Sequence, residues 1–290
     1  MGEQLSVGIE VDPLVPDWHS LTLPDAWPDR LDLRKPTVLL SVIKQILSRA
    51  RRRVDIPSEM PGAEIIPKYI LQEFHNLPNG NYSKNFTRGY VKGFDRAMLG
   101  SIGRVRDEIA NQMKDLESVI DMGCGGGHMA AALKRTGIPD VWGLDPSPYL
   151  LQHAAKDYPN IRFIQGIAEQ TDFANQRFDG VAVCFLLHEV PPRYLDKTLL
   201  EFQRILKPGG LLAISEPSSL QLKHSWRELW KKWGWQGLYF RALAHFFFEP
   251  FVDAWHKQDF ATKLKQAGFE LVSDSDDLPI RQIIAKKTIG

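Results

Sequence analysis

Between residues 37 and 53 the apolar positions Val38, Leu39, Val42, Ile43, Ile46 and Leu47 fall at helical spacing, and the segment closes on Arg49, Arg51, Arg52 and Arg53. This pattern predicts an amphipathic helix docked by one stripe, with cations at its C-terminal end where the helix dipole favours them. The alternative reading lays the same helix on an anionic membrane surface. Residues 1–35 carry Pro, Asp and Trp with weak periodicity, which predicts an irregular arm packed by Trp18 and Trp27. A second short helix is expected over 65–77, a turn-rich linker over 77–84, and one or two helices over about 87–114. The pattern then changes. Short apolar runs near 118–122, 140–145, 161–165, 179–184 and 210–216 alternate with helical stretches, and the chain ends as helix, strand, strand. Alternation of this kind predicts a parallel sheet with helices on both faces.

The first of those runs leads into Asp121-Met122-Gly123-Cys124-Gly125-Gly126-Gly127, and Ala130-Ala131-Ala132-Leu133-Lys134 follows with helical character. Strand, glycine turn and helix make a nucleotide-binding crevice in a doubly wound sheet. A dinucleotide fingerprint would need a third glycine at position 128, which is His128. The spacing is D-x-G-x-G-x-G instead, and indicates a different adenosine cofactor. Three more blocks follow in order: Trp142-Gly143-Leu144-Asp145, Phe178-Asp179-Gly180-Val181-Ala182-Val183-Cys184, and Ile205-Leu206-Lys207-Pro208-Gly209-Gly210-Leu211-Leu212-Ala213-Ile214. Together they resemble the class I S-adenosylmethionine (SAM) dependent methyltransferases, nearest the small-molecule branch that includes the ubiquinone and menaquinone C-methyltransferases. The resemblance covers residues from about 85 to 290. It implies an α/β fold: a Rossmann-like, doubly wound, seven-stranded, mostly parallel sheet ending in an antiparallel strand. A helical N-terminal extension over 1–84 and an aromatic helical insertion over 220–256, after strand five, complete the expected organisation.

The resemblance also implies SAM as cofactor and assigns site residues. SAM carries no phosphate, so glycine is needed for close backbone approach rather than anion capture; Gly123 and Gly125 are the leading positions, with Cys124 between them. Asp121 orients the loop or meets the cofactor ammonium through water; the plainer alternative is a strand-end turn acid. Asp145 stands where two ribose hydroxyls can donate to one carboxylate, and it can also cap the helix entered at Pro146. Many relatives read Gly-Asp-Ala after the third strand, where this chain reads Gly166-Ile167-Ala168-Glu169. Ile167 cannot accept from the adenine amino group, so apolar contact at Ile167 and backbone at Ala168 are expected to hold adenine. Cys184, at the end of the fourth strand, completes the cofactor set.

Methyl transfer from a sulfonium is a direct displacement, accelerated by alignment in a dry site. His188 follows the fourth strand and has the ordinary pKa of a general base; the alternative is a histidine that bonds the next helix. Glu216 ends the fifth strand and faces the same crevice. Tyr90 and Asp95 lie on the helix that lines the site in relatives, against a reading of core packing and a helix charge pair. His128 follows the glycines, with helix capping as its plain role.

Composition narrows the partners. The 290 residues are 43% hydrophobic and 24% charged, with a net charge of +1, so no global basic field recruits nucleic acid. The two cysteines, Cys124 and Cys184, form no disulfide framework, which fits a reducing compartment. No metal-ligand cluster, basic-then-apolar leader or bilayer-length apolar run is apparent, and a cytoplasmic protein is expected. Trp226, Trp230, Trp233, Trp235 and Trp255 crowd into 220–256, among Lys223, Arg227, Lys231, Lys232 and Arg241. Three readings compete there: a lid over an apolar acceptor, plain helix packing, and peripheral membrane contact. The function expected is methylation of a lipophilic or aromatic small molecule at carbon or oxygen. The alternatives are a protein or RNA methyltransferase and a SAM-binding subunit without catalysis.

Overall fold

The structure is a computed structural model that describes residues 12–48 and 52–289; Arg49, Arg51 and residues 1–11 of the arm lie outside the described residues. Its centre is a seven-stranded sheet. The strands are β1 (Ser118–Met122), β2 (Asp140–Asp145), β3 (Arg162–Gln165), β4 (Phe178–Cys184), β5 (Leu206–Pro217), β6 (Phe269–Asp276) and β7 (Ile280–Lys287), in the order β3-β2-β1-β4-β5-β7-β6. The first five are parallel, and β7 runs antiparallel between β5 and β6. This is the architecture that the alternating pattern and the family resemblance imply.

Side-chain alternation divides the core in two. Val119, Val141, Ala182 and Ala213 point to one face, where Ile102, Ile109, Met129 and Leu151 cover them. Ile120, Met122, Val181, Val183, Leu212 and Ile214 point to the other, under Leu195, Leu199, Phe202 and Leu264. A strand buried on both faces reads as a continuous apolar run, which is why β1 and β4 are visible in the sequence. The helices are α1 (Pro36–Leu47), α2 (Lys84–Ala97), α3 (Ser101–Gln112), α4 (His128–Arg135), α5 (Pro148–Asp157), α6 (Pro192–Ile205), α7 (Leu220–Lys223), α8 (Trp226–Phe246), α9 (Val252–His256) and α10 (Phe260–Gln266). The expected stretch over 87–114 is two helices, α2 and α3, parted where Leu99 and Gly100 adopt φ of 51° and 73°.

The N-terminal segment is stitched onto the sheet. Trp18 is buried and its indole N–H donates to the Phe163 carbonyl at 2.8 Å, while Gln152 donates to the carbonyls of Trp18 and Leu21. One expectation fails here. The helix over 65–77 is absent: single 3-10 turns at Ala63–Ile65 and Phe74–Asn76 flank an irregular stretch. Pro67 cannot donate within a helix, and His75 and Asn76 sit at positive φ, which ends any helical run. Residues 77–84 form the expected turn-rich connection, and it is packed into the fold. Asn79, Tyr82 and Ser83 are buried, and the Asn79 amide accepts from the Asp55 N–H and donates to the Tyr82 carbonyl, both at 2.8 Å.

Candidate active site

The carboxyl ends of β1, β2 and β4 open into a cleft of about 1060 Å³. The glycine loop forms its floor. The N–H groups of Gly123 and Cys124 both donate to the Leu144 carbonyl, at 2.8 and 2.9 Å, which pins the loop across β2. Gly123 and Gly125 hold φ of 68° and 52°, a left-handed backbone that favours glycine. A Cβ added to Gly125 would meet no atom within 4 Å, because that position faces the open cleft. Cys124, Pro146 and Cys184 line the same space, as do His128 and Tyr90.

Two aspartates frame the loop. Asp145 Oδ2 accepts from the Gly125 N–H at 2.9 Å and Oδ1 from the Ser147 N–H at 2.8 Å. The helix that follows starts at Pro148 and is capped by Ser147 rather than by Asp145, and each Asp145 oxygen keeps a second lone pair for a ligand. Asp121 is fully buried; Oδ2 accepts from the Ala130 N–H at 2.9 Å, and Oδ1 has no partner. Burial dominates both groups and pushes each pKa up to about 7, against the lowering effect of those N–H donors. Sequence reasoning missed the cation between them and α2. Arg106, on α3, is buried, lines the cleft and grips Asp95 through Nη1 at 2.8 Å, leaving Nε unpaired. Asp95 is therefore an anchor for Arg106, and does not itself line the cleft.

A second cavity of about 660 Å³ lies next to the cleft, roofed by α8. Phe94 and Phe185 line both spaces, edge to face with centroids 5.7 Å apart, and so form the partition. Phe185 holds φ of 60°, a strained conformation for a bulky residue, fixed by its N–H bond to the Ser215 carbonyl at 2.9 Å. Phe240, Leu243, Phe247 and Val252 make most of the remaining wall apolar.

Behind the partition runs a chain of buried charge. Glu216 accepts from the backbone N–H groups of Leu186, Leu187 and His188 at 2.9, 2.7 and 3.2 Å, and from His188 Nδ1 at 2.6 Å. His188 Nε2 lies 3.7 Å from Glu249 Oε2. His75 in turn directs Nδ1 at Glu249, 2.6 Å, and Nε2 at Glu189, 2.9 Å, and stacks on Tyr90 with centroids 5.1 Å apart. The donor atoms of His75, Glu189 and Glu249 lie within 4.8 Å of one another, but His75 turns a different nitrogen to each carboxylate, so they form two ion pairs sharing one imidazolium.

These contacts correct three expectations. Burial alone would lower the His188 pKa, yet the carboxylates of Glu216, Glu249 and Glu189 outweigh it and push it up to about 9. The surrounding carboxylates favour the charged imidazole, whose Nδ1 is taken up by Glu216, and this opposes the role of a resting base. Glu216 lines neither cavity; its oxygens are spent on the 186–188 turn and on His188. Ile167 and Ala168 line neither space either, and Ala168 packs in the core under α6. Glu189, expected with His188 at the crevice end of the fourth strand, does line the cleft, whereas His75 and Glu249 carried no sequence signal, because residues so far apart share no spacing.

Residues 94–274 match the model of a methyltransferase domain family. An uncharacterized methyltransferase of Synechocystis sp. is 33% identical over 182 residues, which cover 60% of this chain and 78% of that protein. A demethylmenaquinone methyltransferase of Chlorobaculum parvum is 39% identical over 99 residues, spanning 34% of this chain and only 40% of the relative's length. Among solved structures, a Pyrococcus horikoshii protein superposes with a TM-score of 0.51 at 19% identity, covering 66% of this chain and 92% of its own; that likeness concerns the fold.

Proposed function

This chain belongs to the methyltransferase domain family, and from that premise we propose that it transfers the methyl group of SAM to an apolar, ring-bearing small molecule held in the second cavity. The observation that carries the reading is the shared aromatic partition between a polar cleft and an apolar chamber.

The cleft's unpaired groups fit a zwitterionic nucleoside. In this reading Asp145 accepts from the ribose hydroxyls, Asp121 Oδ1 faces the ammonium and the Arg106 guanidinium faces the carboxylate. Gly123 and Gly125 leave room for close backbone approach. Pro146, Leu150 and Val190 give adenine an apolar wall, and Ile167 has no part. Bound SAM supplies a methyl group on a sulfonium, which leaves by direct displacement. The protein's own residues exclude water from the partition and hold the acceptor in line.

Asp121 and Asp145 give a pH signature. The folded chain retains protons between pH 3.8 and about 7 that the unfolded chain releases, so the ligand-free protein loses stability as pH rises through that window. The ionised carboxylates favour a cationic ligand, so SAM affinity moves the other way. Calorimetric titration should show about tenfold tighter binding at pH 8 than at pH 6 if one such group must ionise. Affinity independent of pH would remove both carboxylates from the contact.

The roof helix supports a lipophilic acceptor and membrane contact. Phe240, Leu243 and Ala244 of α8 line the chamber, while Trp226, Trp230 and Trp235 are exposed beside Arg227, Lys231 and Lys232. A tryptophan-rich cationic face suits an anionic bilayer surface; among the described residues no helix is long and apolar enough to cross one. Labelled SAM should place its methyl group on an extractable small molecule, faster when the lipid extract is presented in phosphatidylglycerol vesicles than in phosphatidylcholine ones. Label found only in protein or RNA overturns the acceptor class, and equal rates in the two vesicles overturn the membrane contact.

A further inference from the structure

The chamber wall carries unmet hydrogen-bonding demand in a place built of carbon. Glu249 Oε2 is buried with no hydrogen-bond partner, and so is Oε1 of Gln221, a residue only 7% exposed. Both residues line the second cavity. His188 Nε2 lies 3.7 Å from Glu249 Oε2, within electrostatic reach but beyond a hydrogen bond. The opposite edge of the same imidazole is locked, because Nδ1 donates to Glu216 at 2.6 Å. The wall therefore offers one fixed donor, Nε2–H, beside one fixed acceptor, Oε2. Neither group can turn away to find another partner: Glu249 is held through its other oxygen by His75 at 2.6 Å. Only a group that both donates and accepts satisfies the pair, and Gln221 offers a second acceptor nearby on the lining.

We infer that this chamber selects an acceptor bearing a hydroxyl group, whose oxygen accepts from His188 Nε2–H and donates to Glu249 Oε2. The inference rests on reading the second cavity as the acceptor chamber and adds what the apolar wall alone does not specify. His75 and His188 hold Glu249 below the usual carboxylate range despite burial, which keeps it an acceptor at neutral pH. His188 then recognises the substrate as a donor, a role that an imidazolium can fill where a base cannot. An acceptor whose hydroxyl is already capped leaves a buried carboxylate without a donor, which is costlier than the loss of a single contact.

The test compares 4-phenylphenol with 4-methoxybiphenyl, which have the same apolar body and differ by the donor hydrogen. Binding to the full chain is followed by saturation-transfer NMR and competition titration. The phenol should bind at least tenfold tighter than its ether. In Glu249→Gln the ratio should fall below threefold, and Gln221→Met, which keeps the His188–Glu249 pair, should retain a ratio of tenfold or more. Equal binding of phenol and ether to the unaltered protein overturns the hydroxyl site and leaves the acceptor chamber standing. Failure of both to bind, with SAM still bound, overturns the chamber reading and this inference together. If Glu249→Gln does not fold, the ratio in the unaltered protein still decides.

Discussion

Gly125→Val should abolish SAM binding, with Kd raised more than about 100-fold, while the protein stays folded. The added Cβ meets nothing within 4 Å, so it collides with no part of the protein and instead projects into the cleft. Left-handed backbone at φ of 52° costs an L-residue about 1–2 kcal/mol, a loss that an intact fold can absorb. Gly126→Val is the control. Its Cβ would lie 2.7 Å from a Val91 side-chain carbon on α2, so its damage should appear as lost thermal stability. Calorimetric titration and melting curves on the two variants separate intrusion on a ligand from a breach in packing. Retained SAM affinity in a folded Gly125→Val protein would mean that the loop does not approach the cofactor.

The sheet was legible because both its faces are buried. Within β1 the positions Val119, Ile120 and Met122 are apolar and buried, and Asp121 stands out against them at the end that serves the cleft. The glycine loop was legible because its backbone angles demand glycine. Asp145 was legible because chain geometry fixes how far the second strand ends from the loop. What the sequence concealed lies where tertiary contacts override local pattern. His75 is held on an irregular stretch at positive φ, and its partners come from sequence positions more than a hundred residues away. The role of His188 was visible as a position but not as a charge state: a histidine at a strand end looks like a base until three carboxylates are found around it. The insertion over 220–256 was recognisable by its aromatics, yet only the structure separates Phe240, facing the chamber, from Trp230, facing outward, and sends Trp255 to the core. Ile167 shows the opposite failure. A family position was carried over after its side chain had changed, and the chain places it away from both cavities.

Glu216→Leu should be the most destabilising substitution among the residues considered for catalysis, even though it leaves the cleft and chamber linings intact. Four donors converge on this carboxylate: three backbone N–H groups of the turn that delivers Leu187 and His188, and the His188 ring. Removing it strands a buried imidazolium and unpaired N–H groups, a loss of about 4–5 kcal/mol. For a chain of this size that corresponds to a fall in Tm on the order of 7–8 °C. Glu216→Gln keeps one acceptor oxygen and should fall between. A second readout separates this role from mere filling of space. Because the folded His188 pKa, about 9, lies above its ordinary 6.5, the pair's contribution is complete below pH 6.5 and is lost as pH rises through about 9. The unaltered protein should therefore lose stability between pH 7 and 9.5, and Glu216→Gln should lose markedly less over the same range, since burial without the carboxylate favours neutral imidazole. Parallel pH–melting profiles, or a Glu216→Leu protein that melts within 3 °C of the original, would show that the turn is held by packing and that Glu216 does not set the charge on His188.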